Sequence, residues 1–190
     1  MIKGGGNIMK NDFGIKTWVF PAPVLILGTY GENDLPNAMN AAWAGIYGYN
    51  QIFVSLSRHQ TTENLEARKA FTVAFATKET IEASDYVGLV SGKNVKDKVR
   101  KAGLTAKKAP HVDAPYFDEY PVTLECEVLS FDGSILIGAI KNVLVDESVV
   151  ENGKLNTEKC HFVAFDSATN KYVVLGEAIA DAFSIGAKLK

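Results

Sequence analysis

The chain has 190 residues, 47% of them apolar, with 20 basic and 22 acidic side chains and a net charge of −2. That length suits one domain, and the apolar content excludes a disordered chain. The near-neutral charge excludes a global field that would recruit nucleic acid or an anionic membrane.

The start, "MIKGGGNIMKNDFG", lacks the apolar stretch of a secretory signal, and no run approaches the roughly 18 apolar residues of a spanning helix. A cytoplasmic location, with no membrane or nucleic-acid partner, is the expectation. Met9 is a second candidate start, which makes "MIKGGGNI" an extension. Residues 1–16 read as an N-terminal extension and 17–190 as a single domain.

"KTWVFPAPVLILGTYG" combines a Pro-Ala-Pro corner with a continuous apolar run, the pattern of a strand buried on both faces. "GENDLPN" is a polar turn, so a returning strand over "AMNAAWAGIY" is expected. "QIFVSLS" and "FTVAFAT" read as two further strands, with "TTENLEARKA" a short helix between them. "KETIEASDYVGLVSG" and "NVKDKVRKAGL" read as two more helices, the second capped by Asn94 and closed by a left-handed Gly103. "APHVDAPYFDEYP" is extended.

"VTLECEVLSF" alternates Leu124, Cys126 and Val128 inward with Thr123, Glu125 and Glu127 outward. A "DGS" turn leads into "ILIGAIKNVLVDESVV", and a last hairpin turns around Ala-Thr-Asn in "CHFVAFDSATNKYVVL". Six or more strands interrupted by one helical excursion predict a mainly β fold, a small antiparallel barrel with peripheral α-helices.

Three stretches carry chemistry. In "VSLSRHQTTENLEARK" a strand runs into a helix through Ser55, Ser57, Arg58, Thr61 and Thr62. A helix N-terminus offers unpaired N–H groups and a partial positive charge, and phosphates use it where small hydroxylic residues and arginine adjoin. The plainer account is a helix capped by Thr61 or Thr62. In "NAMNAAWAG", alanines and a glycine forgo strand packing beside Asn37, Asn40 and Trp43. That pattern suits either a flat ring laid on the backbone or a close sheet crossing. "SGKNVKDKVRKAGLTAKK" holds seven basic residues against Asp97. A solvated helix face or a phosphate partner both account for it.

No nucleophile elbow, P-loop or GxGxxG is present. His59, His111 and His161 are scattered, without metal-ligand spacing. No catalytic side chain and no metal site is assigned. Cys126 and Cys160 are far apart and form no CxxC; Cys126 reads as a reduced core thiol. Chemistry, if any, belongs to a cofactor.

In order, "PAPVLILGTYGENDLPNAMNAAWAG", "VSLSRHQTTENLEARKAFTVAFAT", "ASDYVGLVSGKNVKDKVRKAGL", "VDAPYFDEYPVTLECEV" and "ILIGAIKNVLVDE" resemble the flavin reductase-like proteins of the FMN-binding split-barrel fold, particularly the flavoredoxin branch. The resemblance spans roughly residues 17–147. It implies a six-stranded antiparallel split barrel of Greek-key type and a homodimer with FMN, ahead of FAD, near the subunit interface. It also implies that Asn40, Ala41, Ala42 and Trp43 line the isoalloxazine ring. Ser55, Leu56, Ser57, Arg58, Thr61, Thr62 and Asn64 would then hold the ribityl phosphate, and Ser91, Gly92 and Lys98 would close over the cofactor.

Many NAD(P)H-dependent members resemble a pattern with a histidine just before the "ILIGAI"-type strand. Here "FDGSILIGAI" has none. The resemblance therefore implies a flavoredoxin-like electron-transfer flavoprotein, an oxidoreductase-type protein working with a redox partner protein. The alternatives are an NAD(P)H-dependent flavin reductase and a non-catalytic flavin-binding split-barrel dimer.

Overall fold

The computed structural model describes residues 9–189; the possible extension "MIKGGGNI" lies outside them, and residues 9–16 carry no helix or strand. After the proline corner come β1 (Ala22–Pro23) and β2 (Leu25–Tyr30). Leu25, Ile26 and Leu27 are all buried, so β2 is covered on both faces, as its unbroken apolar run predicts.

The single returning strand expected over "AMNAAWAGIY" is two strands, β3 (Pro36–Ala41) and β4 (Ala44–Gly48), broken at Ala42–Trp43. The break sends the chain from one sheet edge to the other. β3 pairs with β2, whereas β4 pairs with β5 (Gln51–Ser55). The sheet therefore has seven strands rather than the expected six. Its remaining members are β6 (Ala70–Phe75), then, beyond a short hairpin of β7 (Ala106–Lys108) and β8 (Pro115–Phe117), the long β9 (Val122–Phe131) and β10 (Ile135–Val145). Their order is β3-β2-β6-β9-β10-β5-β4, antiparallel throughout, curled into a split barrel.

Two small hairpins complete the chain: β11 (Val150–Glu151) with β12 (Lys154–Leu155), and β13 (Val163–Asp166) with β14 (Lys171–Val174). β13 also pairs with β1, which ties the C-terminal hairpin to the start of the barrel.

The curl creates two apolar layers. Leu25, Leu27, Val54, Phe71, Cys126 and Leu136 fill the concave side. Ile26, Ala38, Ala74 and Phe117 face outward, under Val87 and Val99 of the helical excursion. Burial pushes the Cys126 thiol up to about 12, so it stays protonated as a core group.

The helices are α1 (Gln60–Arg68), α2 (Ile81–Leu89) and α3 (Lys98–Lys101). His59, not Thr61 or Thr62, occupies the α1 N-cap. Thr62 serves the cap from inside: its Oγ1 accepts from the His59 N–H at 3.1 Å and donates to the His59 carbonyl at 2.8 Å. α3 is shorter than its pattern suggests, and Asn94 does not cap it. The Asn94 and Val95 N–H groups turn back onto the Ser91 carbonyl, and the helix starts only after Asp97. Gly103 closes it in the left-handed region, φ 76°. No helix among the described residues is long and apolar enough to cross a membrane.

One alternation fails. Glu127 is exposed, but Thr123 and Glu125, expected outward, are buried on β9. The loop between β7 and β8 folds over that face. The His111 N–H donates to Glu125 Oε1 at 2.9 Å, and His111 Nδ1 and Asn142 Nδ2 lie 2.8 and 2.6 Å from Oε2. Burial raises the Glu125 carboxyl, but the bonds from Asn142 and His111 outweigh it and hold the group below the usual carboxylate range.

Candidate cofactor-binding site

The three chemistry-bearing stretches meet around one cavity of about 450 Å³, within the range typical of small-ligand sites. The end of β3 and the break after it form one wall. Ala41 is buried there and Ala42 half-buried, leaving the backbone open to a flat ligand, while Trp43 stands 59% exposed at the rim. The Asn40 side-chain amide donates to the Ser84 carbonyl at 3.0 Å and so sets the distance between this wall and α2.

The second wall is the exit of β5 and the start of α1. The Ser55 N–H donates to the Trp43 carbonyl at 2.7 Å, which locks the two walls together, and Leu56 is buried beneath them. Ser57 Oγ lies 2.9 Å from His59 Nε2, both exposed groups on the cavity surface. Thr61, 1% exposed, accepts at Oγ1 from Asn37 Nδ2 at 2.9 Å.

The third wall is the C-terminal half of α2, the Ser91–Gly92 turn and Lys98. Lys98 is the electrostatic centre. Its side chain crosses inward, is 3% exposed, and donates from Nζ to the carbonyls of Val87 and Val90 at 3.0 and 2.9 Å. Both acceptors lie at the end of α2, where carbonyls lack helical partners and the dipole favours a cation. Burial, without any carboxylate at the ammonium, lowers the group to about 8.

A buried acceptor is left without a partner. Asn37 Oδ1 lines this wall and has no hydrogen-bond donor. A Cβ on Gly92 would stand 2.5 Å from it, so only glycine fits beside that oxygen. An orphaned buried carbonyl costs about 1–3 kcal/mol, which a ligand hydroxyl or N–H seated there would offset.

Three predicted site residues are not in the cavity wall. Arg58 is exposed outside it, and Thr62 is consumed by the cap. Asn64 stands one step behind: its Oδ1 accepts from Gln60 Nε2 at 3.0 Å, and its Nδ2 donates to Thr29 Oγ1 at 3.0 Å. It positions Gln60, which does line the cavity. The remaining eleven converge there: Asn40, Ala41, Ala42, Trp43, Ser55, Leu56, Ser57, Thr61, Ser91, Gly92 and Lys98.

Four of the seven cations of the basic stretch form ion pairs. Lys93 meets Glu63 at 2.6 Å, Arg100 and Lys101 share Asp97, and Lys107 meets Asp118 at 2.6 Å. Of its cations, Lys98 alone lines the cavity. Residues that sequence reasoning missed include His59, Gln60, Asp85, Phe165 and Tyr172, with Asn37 noticed but given no role. Asn37 and Gln60 adjoin recognised stretches. Asp85 and Tyr172 meet only through tertiary structure, at 2.7 Å across 87 residues.

The family model described as a flavin reductase like domain matches residues 17–163. Flavoredoxin of Desulfovibrio vulgaris (Miyazaki F) is similar at 37% identity and a TM-score of 0.90, over 94% of this chain and 100% of that one. Flavoredoxin from Methanosarcina acetivorans is similar at 25% identity and a TM-score of 0.84, over 95% of this chain and 100% of that one. Nitrilotriacetate monooxygenase component B from Bacillus cereus shares the fold at 20% identity and a TM-score of 0.73, covering 85% of this chain and 88% of that one. No curated protein sequence matches. With that match over most of its length and this split-barrel fold around one cavity, the chain belongs to the flavin reductase-like family.

Proposed function

We propose that the cavity binds FMN and that the chain is a flavoredoxin-like electron-transfer flavoprotein. The observation that carries this reading is the convergence of Lys98, Thr61, Ser57 and Gly92 with the small-residue wall Ala41–Ala42 on a single cavity. The donor set suits the ligand. An anion is favoured beside the N-terminus of α1 and its hydroxyls, and a planar ring suits a wall of backbone and methyl groups. Asn37 Oδ1 asks for a hydroxyl or N–H donor, and FMN offers both.

Bound FMN supplies the electron-accepting and electron-donating chemistry. The chain's own contribution is positional. Asn40 holds α2 against β3, Ser55 and Trp43 join the two walls, and Lys98 holds a positive charge inside the cavity. β10 begins at Ile135 after Ser134, with no histidine at its start. That favours a partner protein as electron donor or acceptor over NAD(P)H. FMN ahead of FAD is also part of the proposal.

A homodimer fits the apolar face around Pro21 and Phe162, where Val143, Leu155 and Leu175 are 45%, 40% and 50% exposed.

Purified protein titrated with FMN tests the core reading. Quenched flavin fluorescence at one equivalent per chain supports it, and colourless protein that leaves FMN emission unchanged overturns it. Anaerobic NADH or NADPH that bleaches the bound flavin would replace the electron-carrier assignment by the flavin-reductase alternative. A monomer by light scattering would remove the dimer.

A further inference from the structure

We propose that residues 176–189 dock as an amphipathic helix on a second copy of this chain, its apolar side in the groove that Pro21, Val143, Leu155 and Phe162 line on that copy. The proposal deepens the homodimer reading and rests on it.

The C-terminal stretch "LGEAIADAFSIGAKL" has a helical pattern. Leu175, Ala178, Ile179, Ala182, Phe183 and Leu189 recur at i, i+3, i+4, i+7, i+8 and i+14, which gathers them on one side of an α-helix. Glu177, Asp181 and Ser184 fall on the other side, and Glu177 stands at the start, where the helix dipole favours an acid.

In the single chain this pattern is not realised. Only Ile185–Leu189 turn, as a short 3-10 segment, and one α-type bond joins the Ile185 N–H to the Asp181 carbonyl at 3.4 Å. Phe183 interrupts the turn at φ 63°, a left-handed value that disfavours a bulky side chain. Ile179, Phe183 and Leu189 all stand in solvent. Among the described residues the tail hydrogen-bonds only to itself. A helix this short is marginal in water and forms when its apolar side is buried.

The fold leaves a matching surface uncovered, an apolar groove of about 510 Å³. The root of the tail decides which copy fills it. Leu175 lines the groove, and its N–H donates to the Phe162 carbonyl at 2.8 Å. Only Gly176 separates this anchor from Glu177, whereas turning a helix back over its own root takes a loop of about two to five residues. A twofold-related copy presents the same groove to the outgoing helix, and exchange fills both grooves in one closed pairing. Residues 176–190 carry two acids and two lysines, so no net charge draws the tail to an anionic membrane. The groove also backs onto the cofactor cavity: Val24 lines both, and on β13 Ala164 lines the groove while Phe165 lines the cavity. The exchanged helix thus braces the wall behind the cofactor.

The test uses the full chain. Ile179→Glu with Phe183→Glu charges side chains that are exposed in the single chain, so the barrel keeps its fold. The pair should raise the dimer dissociation constant at least about tenfold in sedimentation equilibrium and remove about three turns of helix from the far-UV circular dichroism. A second set reads the contact: Leu155→Cys combined with Ile179→Cys or with Phe183→Cys, then oxidised. Cys126 and Cys160 are buried and do not compete. At least one combination should give a covalent dimer. Cross-links only within one chain, or in neither combination, would overturn the exchange, as would an unchanged dissociation constant and helix signal in the glutamate variant. Helix gained only on adding phosphatidylcholine vesicles would assign the tail to a lipid surface and overturn it too. A full chain that stays monomeric strikes the homodimer reading and the exchange together, whereas a dimer indifferent to the tail substitutions strikes the exchange alone.

Discussion

Asn37 Oδ1 faces the bare Cα of Gly92, at a spot where a β-carbon would come within 2.5 Å of it. The pair is a close approach: a buried acceptor without a donor, packed where no methyl group would fit. Gly92→Ala should therefore push the Asn37 amide from its place and weaken FMN binding about tenfold or more, the loss expected for one ligand hydrogen bond at a buried polar group. Flavin fluorescence titration reads the effect. Unchanged affinity would mean that Asn37 Oδ1 does not meet the ligand.

Lys98 gives a pH dependence whose sign is set by its low folded value, about 8 against 10.5 for a free lysine. Below about 8 the ammonium is charged in the cavity; above it the folded protein releases the proton before the unfolded chain does. Ligand-free protein should gain stability as pH rises from about 8 towards 10.5, because the unfolded state there binds more protons. FMN affinity should move the opposite way, falling as pH rises through 8 and the positive charge is lost. Lys98→Met should flatten both profiles. An FMN affinity in the unmodified protein that is level from pH 7 to 9.5 would show that Lys98 does not face the anionic ligand.

The split between Thr62 and Ser57 separates folding from binding on one short stretch. Thr62 is spent on the α1 cap through two hydrogen bonds with His59. Thr62→Ala should cost about 1 kcal/mol of stability, the usual worth of a capping group, and equally with and without FMN. Ser57, exposed in the cavity wall, should behave in reverse. Ser57→Ala should leave the ligand-free melting temperature within about 1–2 °C and reduce the added stabilisation that FMN confers. Arg58 lies outside the wall, so Arg58→Ala should do neither. A larger FMN-specific loss in Arg58→Ala than in Ser57→Ala would reverse this assignment.

What could be read from the chain follows from the range of the interactions. β2 and β6 were legible because their apolar runs are local and both faces are buried, and β5 because its apolar residues alternate with polar ones over a short span. The cavity stretches were legible because alanines in a strand and hydroxyls at a helix start are anomalies visible in the sequence. The break at Ala42–Trp43 was not, since the sequence is continuous in pattern and the turn is imposed by pairing β3 and β4 at opposite sheet edges. The cap fell to His59 because its backbone N–H and carbonyl both bond the Thr62 hydroxyl, a choice that intrinsic preference for threonine at the cap does not contain. The basic run keeps two readings in the sequence alone, because its partners Glu63 and Asp118 lie in other elements.

Glu125 is the clearest case of a residue whose role inverts between sequence and structure, and its lowered carboxyl contributes to the pH dependence of stability on the acid side. It is fully buried, although strand alternation assigns it to the surface. Asn142 and the amide and ring of His111 hold its charge, and its folded value lies below the ordinary 4.5. The sign is that of a depressed carboxylate. Its stabilising contribution is present above about 4.5 and is lost as pH falls through the lower folded value. Glu125→Gln keeps the shape and removes the charge, so it should lower the melting temperature at pH 7 and shrink the difference between pH 7 and pH 3.5. Asn142→Ala should act in the same direction, leaving a buried carboxylate one donor short, at about 1–3 kcal/mol. Thermal melts across that range measure both. Equal slopes of melting temperature against pH in the unmodified protein and Glu125→Gln would assign the acid sensitivity to other carboxylates.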